Sequence, residues 1–210
     1  MTAFEKTFHF FKNPWVLLSF ILLTVLVYMT VDIPVAQYFY NLKTRTTWPI
    51  LNVFTLLGKN LIYLGLFLVL GLYFRHLKKN KLYENRAWFL LSCVIMVTLI
   101  NMVLKISFGR ARPELYFINH YFGFYWFKFK DLYWSFPSGH AITSVAVASG
   151  MGIIFQRYFY TLLAVAILVI CSRVILYRHY LSDVMVGFYL GVLIIGFFAQ
   201  WLKKSGWLKL

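Results

Sequence analysis

Three short stretches of this sequence place charged residues, histidines and serines within an otherwise apolar chain. Their reactive or charged residues, in chain order, are Lys105, Arg112, Ser138, Gly139, His140, Arg173, His179 and Asp183. Cations can bind an anion, and histidines can carry protons or form a covalent bond. A carboxylate can orient a histidine. Together these residue types indicate phosphoryl-transfer chemistry.

The cations of the three stretches favour a phosphate site. The chain has 21 Lys and Arg against only 6 Asp and Glu, so most cations lack an acidic neighbour. An unpaired cation in apolar surroundings is unfavourable unless an anion joins it. Lys105, Arg112 and Arg173 could each reach lipid headgroups on its own. Three together are better satisfied by phosphate, with arginines as planar forks and lysine as a point charge.

Ser138 and Gly139 come directly before an apolar segment, where a helix is expected to begin. Free amide groups and the positive end of the helix dipole bind anions there, and glycine lets the backbone approach closely. Ser138 could also serve only as the N-cap of that helix. His140 would project from the first turn, beside a bound anion.

His179 and Asp183 are four residues apart, which puts both on one face if the segment is helical. The carboxylate would then accept a hydrogen bond from the imidazole and leave the other nitrogen free to attack phosphorus. Asp183 would stabilise the imidazolium, and His140 would act first as general acid and then as general base. No Asp, Glu or His cluster offers a Mg²⁺ or Zn²⁺ cage, so we expect no metal and no cofactor.

The composition indicates a membrane protein. The chain is 61% hydrophobic and 13% charged, whereas soluble domains carry roughly 25% charged residues. A net charge of +15 could suggest a nucleic-acid partner, but the basic residues lie in short gaps between apolar runs. Topology and anionic lipid headgroups explain that distribution better. Cys93 and Cys171 lie inside apolar runs and are expected to be buried small side chains.

We predict an all-α integral membrane protein with six transmembrane helices in a single domain, residues 1–210. A bilayer core needs about 20 apolar residues as helix. The segments are approximately 15–32, 55–74, 87–106, 140–155, 159–177 and 183–202. The first is read as a retained helix because it is longer than a signal-peptide core. The loop between the third and fourth helices contains an aromatic and basic run, 121–130, typical of an interfacial segment or of ordinary loop packing.

Basic residues predict the orientation in the membrane. They occupy the connection between the second and third segments and the C-terminus: Arg75, Lys78, Lys79, Lys81, Arg86, Lys203, Lys204 and Lys209. The positive-inside tendency then places both termini in the cytoplasm. The ends of helices three and five and the starts of helices four and six fall on the other face. All three reactive stretches therefore meet on the non-cytoplasmic side.

The stretches resemble the three motifs of the type 2 phosphatidic acid phosphatase superfamily, K-x6-RP, PSGH and SR-x5-H-x3-D, which here span residues 105–183. The resemblance implies a phosphohistidine at His179 and a general acid at His140. It also implies phosphate contacts from Lys105, Arg112, Ser138, Gly139 and Arg173, and metal-independent hydrolysis of a lipid phosphate. Arg110 and Arg178 lie outside the motifs and could contact substrate or be surface charges.

Among lipid substrates, the aromatic and basic loop slightly favours lipid A, whose headgroup carries several anions. Undecaprenyl diphosphate and phosphatidylglycerol phosphate are the alternatives within this class. An anion or lipid transporter would instead distribute charges through the bilayer, and Lys59 in the second segment is the residue that fits this reading. The compact chain suggests the inner membrane of a bacterium, with the site on the periplasmic face.

Overall fold

The computed structural model describes residues 1–206, and most of these residues lie in α-helices. In that range no strand forms, and one isolated bridge joins Arg110 and Phe124. The α-helices are α1 Ala3–Lys12, α2 Pro14–Thr30, α3 Asp32–Asn41, α4 Thr44–Thr47, α5 Ile50–Leu56, α6 Asn60–His76, α7 Lys81–Phe108, α8 Pro113–Asn119, α9 Gly139–Ile154, α10 Phe159–Ile175 and α11 Leu181–Lys204. The predicted all-α fold class is confirmed.

Five of the six predicted transmembrane segments each overlap mainly one helix, and the second, 55–74, overlaps both α5 and α6. Three helical segments are long and apolar enough to cross a membrane: α7, Gln156–Ile175 and α11. The count rises to five if each bent pair is one span, α1 with α2 at 71° and α5 with α6 at 47°. At 16 residues, α9 is apolar but shorter. The count of six spans therefore remains a prediction.

The second predicted segment, 55–74, is divided by a turn. Helix α5 ends at Leu56 and α6 begins at Asn60. Between them, Gly58 packs so closely on α9 that an added Cβ would lie 2.7 Å from His140 Cδ2. The break therefore brings the α5–α6 turn against the start of α9.

Helix α9 is the central element of the bundle. Its residues from Ala141 to Gly150 are all buried, and it packs against α7, α10 and α11. Small residues permit this close packing, because a Cβ on Gly187 or Gly191 of α11 would lie 2.8 Å from side-chain atoms of α9. Such small contacts are typical of helix packing in membranes. These closely packed neighbours fix the direction in which the α9 N-terminus points.

Large apolar side chains cover much of the outer surface. On α2 the exposed ones include Trp15, Leu18, Ile21, Leu22, Val25, Leu26 and Met29. In the connection from α7 to α9, Trp126, Phe127 and Phe129 are also exposed. A surface of this kind suits contact with lipid. The predicted interfacial position of the 121–130 run remains a prediction.

Candidate active site

The three stretches converge on one cavity of about 270 Å³. It lies where α7 and α10 end and where α6 and α9 begin. Predicted site residues that line it are Lys105, Arg112, Gly139, His140, Arg173 and His179. The other two, Ser138 and Asp183, are fully buried and do not line the cavity. The helix ends thus bring together residues separated by more than seventy positions in sequence.

The cavity carries an excess of positive charge. Lys105 Nζ donates a hydrogen bond to the Trp134 carbonyl oxygen. Arg112 forms an ion pair of 2.8 Å with Asp131, an exposed residue and the only acid that lines the cavity within residues 1–206. Arg173 is buried, its Nε has no partner, and it forms no ion pair in the same range. A buried guanidinium without a counter-ion favours binding of an anion.

The N-terminus of α9 faces this positive region. Ser138 is its N-cap, and the Ser138 amide donates to the Asp183 carbonyl oxygen at 3.1 Å, so free amides begin at Gly139. The Ser138 hydroxyl is buried and has no hydrogen-bond partner among the described residues. An added Cβ on Gly139 would lie 3.6 Å from Lys105 Cε, which brings the helix start close to a cation. Free amides, the helix dipole and Lys105 all favour an anion here.

His179 is held by a main-chain carbonyl group. It is buried in the connection between α10 and α11, and its Nδ1 lies 2.8 Å from the Ser135 carbonyl oxygen. A carbonyl oxygen only accepts hydrogen bonds, so Nδ1 carries the proton and Nε2 has the free lone pair. Burial, followed by the charges of Lys105 and Arg112, keeps the pKa of His179 well below its ordinary value. The imidazole is therefore neutral and able to act as a nucleophile.

The predicted hydrogen bond between His179 and Asp183 is not formed. His179 Nδ1 and Asp183 Oδ2 are 3.7 Å apart. Helix α11 begins only at Leu181, so the four-residue spacing does not lie on one helical face. Asp183 occupies the first turn and its Oδ2 accepts from the Tyr180 amide at 2.9 Å and from Ser135 Oγ at 2.6 Å. A carboxylate in the first turn commonly reaches back to the amide that precedes the helix.

Arg110, which sequence reasoning left unassigned, is fully buried and joins two acids. Its NH1 contacts Asp183 Oδ1 and donates to Ser182 Oγ at 2.7 Å, and its NH2 donates to Asp32 Oδ2 at 2.7 Å. Asp32 is also fully buried and accepts from the Ser182 amide at 2.9 Å. Burial alone would lower the pKa of Arg110, but Asp183 and Asp32 outweigh it and raise that pKa.

Aromatic rings enclose the same guanidinium. Its carbon lies 4.7 Å from the ring centre of Tyr180, 4.8 Å from Tyr28, 5.4 Å from Phe124 and 5.6 Å from Phe122. Cation–π contacts of this kind are strengthened when the cation is desolvated. Arg110 therefore fixes Asp183, which contacts Ser135, whose carbonyl group holds His179. No short sequence pattern marks this role of Arg110, because its partners Asp183 and Asp32 lie 73 and 78 positions away in the chain.

Arg178 and Arg45 lie outside the cavity lining and share one carboxylate. Arg45 NH1 is 2.6 Å from Glu114 Oε1, and Arg178 NH1 is 2.9 Å from the same oxygen. Arg45 also donates to the carbonyl oxygens of Leu176 and Tyr177. The sequence analysis did not single out Arg45. Its hydrogen bonds hold the connection between α10 and α11, which contains His179.

The described residues contain no group of three or more His, Cys, Asp or Glu side chains that could hold a metal ion. Cys93 is buried, as predicted, whereas Cys171 is exposed. The cavity instead presents cations, two imidazoles and helix amides, a donor set that suits an anion.

The fold and this cavity agree with the family comparison. Residues 86–207, more than half of the chain, match the PAP2 superfamily. The chain belongs to this superfamily, and all three predicted motifs fall within the matched range. The resemblance inferred from those motifs is thereby confirmed.

Two curated relatives and one solved structure extend the comparison. A lipid A 1-phosphatase of Rhizobium etli is 35% identical over 103 residues, which are 49% of this chain and 44% of the relative. A lipid A 4'-phosphatase of Porphyromonas gingivalis is 29% identical over 178 residues, 81% of this chain and 68% of the relative. The chain thus spans less than half the length of the Rhizobium relatives it matches.

The crystal structure of a transmembrane PAP2-type phosphatidylglycerolphosphate phosphatase from Bacillus subtilis shares the fold. The TM-score is 0.59 at 22% identity, and the likeness covers 90% of this chain and 94% of that chain. At this identity the likeness supports the architecture alone.

Proposed function

We propose that this protein is an integral membrane phosphatase that hydrolyses a phosphate ester or diphosphate of a membrane lipid through a phosphohistidine. The observation that carries the proposal is the cavity itself. It joins a neutral histidine with a free Nε2 to Lys105, Arg112 and Arg173, which within the described residues form one ion pair, between Arg112 and Asp131. Names of the curated relatives and membership of the superfamily support the same activity.

The first step forms the phosphoenzyme. His179 Nε2 attacks phosphorus, and the bond between phosphorus and the leaving oxygen breaks in line with the attack. His140 gives its proton to that oxygen. The positive charge that develops on His179 is stabilised by the Ser135 carbonyl group at 2.8 Å and by Asp183 at 3.7 Å.

The second step regenerates the enzyme. His140, now neutral, takes a proton from water as the water oxygen attacks phosphorus. The phosphorus–nitrogen bond breaks, its electron pair returns to His179 Nε2, and inorganic phosphate leaves.

Lys105, Arg112, Arg173 and the α9 amides from Gly139 onward would bind the non-reacting phosphate oxygens in both steps. Cations and fixed amide dipoles stabilise the charge of the transition state. They supply what Mg²⁺ supplies in many other phosphoryl-transfer enzymes, so we propose a metal-independent reaction. Ser138 can contribute its unpartnered hydroxyl.

The proposed membrane arrangement has six spans, both termini in the cytoplasm and the cavity on the periplasmic face of a bacterial inner membrane. The cavity lies at the bundle end opposite the basic α6–α7 connection and the basic end of α11. Lys209, which contributed to this prediction, lies outside the described residues. We also infer a single domain over residues 1–210, because α1 packs on α11 through an ion pair of 2.8 Å between Glu5 and Lys203.

Lipid A is the favoured substrate, supported by the names of the curated relatives and by the exposed aromatic and basic loop beside the cavity. Phosphatidylglycerol phosphate and undecaprenyl diphosphate are the alternatives. The alternative of an anion or lipid transporter rested on Lys59 as a charge away from the three motifs. Lys59 instead lines the same cavity as the motif cations, so this alternative is not favoured.

The test is phosphate release by purified protein in detergent and excess EDTA. The panel contains lipid A, undecaprenyl diphosphate, phosphatidylglycerol phosphate and phosphatidic acid. We expect release from at least one lipid, its loss in His179→Ala, and its retention in His76→Ala, an exposed histidine on α6. Equal release from wild type and His179→Ala, or no release from any lipid, would show that the proposal is wrong.

A further inference from the structure

We propose that the α5–α6 turn and Asn101 of α7 form a subsite for the leaving group, selecting leaving groups that carry a second anion or free hydroxyls. The inference rests on the proposed phosphatase activity. It gives a role to Lys59, which no motif includes.

The role of the α5–α6 turn as part of the leaving-group subsite follows from the geometry of in-line phosphoryl transfer. The nucleophile and the leaving oxygen lie on opposite sides of phosphorus during transfer. If His179 attacks and His140 protonates the leaving oxygen, the leaving group lies on the His140 side. Gly58 contacts that side, since its added Cβ would lie 2.7 Å from His140 Cδ2 and 2.8 Å from His140 Cβ. Lys59 and Asn60 continue from Gly58 and line the same cavity.

Lys59 supplies a cation that has no protein partner. It precedes α6, is exposed, and forms no ion pair and no side-chain hydrogen bond within the described part of the chain. The non-reacting oxygens of the scissile phosphate already have Lys105, Arg112 and Arg173. An ammonium group beside the leaving group would therefore bind a second anion through charge-assisted hydrogen bonds.

Neutral polar side chains extend the lining of the cavity from Lys59 into the helix bundle. Thr98, Asn101 and Lys105 follow the spacing of one face of α7, and Thr98 lies about 10 Å along the helix axis from Lys105. Asn60 Nδ2 donates to Thr98 Oγ1 at 3.3 Å.

Asn101 Oδ1 is buried and has no hydrogen-bond partner in residues 1–206. A buried acceptor without a donor is unfavourable. A hydroxyl group of the leaving group would satisfy it.

These groups define the chemical class of the leaving group. Phosphatidic acid releases diacylglycerol with neither a charge nor a hydroxyl group beyond the one formed. Phosphatidylglycerol phosphate releases phosphatidylglycerol, which has a phosphodiester anion and a further hydroxyl. Both lipids can be prepared with identical acyl chains, so their comparison isolates the leaving group.

The experiment measures kcat/KM for the dioleoyl forms of both lipids in the same detergent micelles. Wild type is expected to prefer phosphatidylglycerol phosphate. Lys59→Met should lower kcat/KM for that lipid about tenfold and for phosphatidic acid less than about twofold, which matches one charge-assisted hydrogen bond. Lys59→Arg should keep most of the preference. Lys78→Met, which removes the same charge from an exposed position at the other end of α6, should change neither value.

Asn101→Ala should shift the preference in the same direction as Lys59→Met, and it provides a second variant. A wild type without the preference, or Lys59→Met with equal effects on both lipids, would overturn the subsite while leaving the phosphatase activity intact. Absence of phosphate release from every lipid of the wider panel would instead overturn the phosphatase proposal itself.

Discussion

Replacement of Arg110 by methionine removes the guanidinium that joins Asp32 and Asp183. Methionine keeps much of the apolar volume, so it can still contact the surrounding aromatic rings. It leaves two carboxylates in a region where the side chains of all three residues have 0% exposure. Solvent therefore cannot screen the change. Asp183 should also lose its fixed position relative to Ser135 and His179.

The expected effect on stability is large. Loss of one partner from a buried ion pair destabilises a protein by about 3–5 kcal/mol. For a chain of this size, 1 kcal/mol corresponds to roughly 2–4 °C in Tm, so a decrease of roughly 6–20 °C is expected. Asp32→Asn in the same background should recover part of the loss, because one of the unpaired carboxylates becomes neutral. The destabilisation of the double variant should therefore differ by about 1–3 kcal/mol from the sum of the destabilisations of the two single variants.

Thermal unfolding in detergent measures the stability change, and phosphate release well below the lowest Tm measures activity. Arg157→Met is the matched control, because Arg157 is exposed and forms no ion pair in the described residues. We expect the control to stay within about 0.5 kcal/mol of wild type. If Arg110→Met melts within about 2 °C of wild type and retains full activity, the buried network neither stabilises the fold nor positions His179.

Three further predictions concern the cavity. Gly58→Ala should lower kcat at least about tenfold, because the added Cβ would displace His140. Gly65→Ala is the control: no atom lies within 4 Å of its added Cβ, so it should be neutral or slightly stabilising. Equal kcat values for the two variants would contradict the contact between Gly58 and His140. The lowered pKa of His179 predicts that Nε2 stays mostly unprotonated at pH 6.5 in ¹⁵N NMR spectra, where an ordinary imidazole is about half protonated, and half protonation at or above pH 6.5 would refute this. Asp131→Asn should lower the Ki of inorganic phosphate about two- to fivefold, since the only carboxylate lining the described cavity is neutralised; a higher Ki would contradict the prediction.

Apolar length and motif order were sufficient to predict the long helices α2, α6, α7, α9, α10 and α11 and the convergence of the three motifs, but not the shorter helices between them. Each apolar run must form a helix to satisfy its backbone in lipid, and alternate helix ends must then share a face. The positions at which a helical segment breaks, however, depend on how the helices pack in the bundle. The turn at Gly58 depends on its contact with His140, which lies 82 positions later in the chain, so local periodicity cannot reveal it.

Side-chain partners were less predictable than side-chain location. The spacing of His179 and Asp183 suggested a direct hydrogen bond, but the start of α11 at Leu181 put the two residues in different local conformations. Asp32 meets Arg110 across 78 residues, and no short pattern encodes that contact.

The carbonyl group that holds His179 belongs to the main chain of Ser135, and this has a consequence for how the protein can change. No side-chain replacement can delete a carbonyl oxygen. The tautomer of the His179 imidazole is therefore protected from most point mutations at Ser135. It can be lost only by moving the backbone of residues 135–137 relative to α11. Inherited changes that alter which nitrogen of His179 carries the proton would therefore be insertions, deletions or packing changes around that segment.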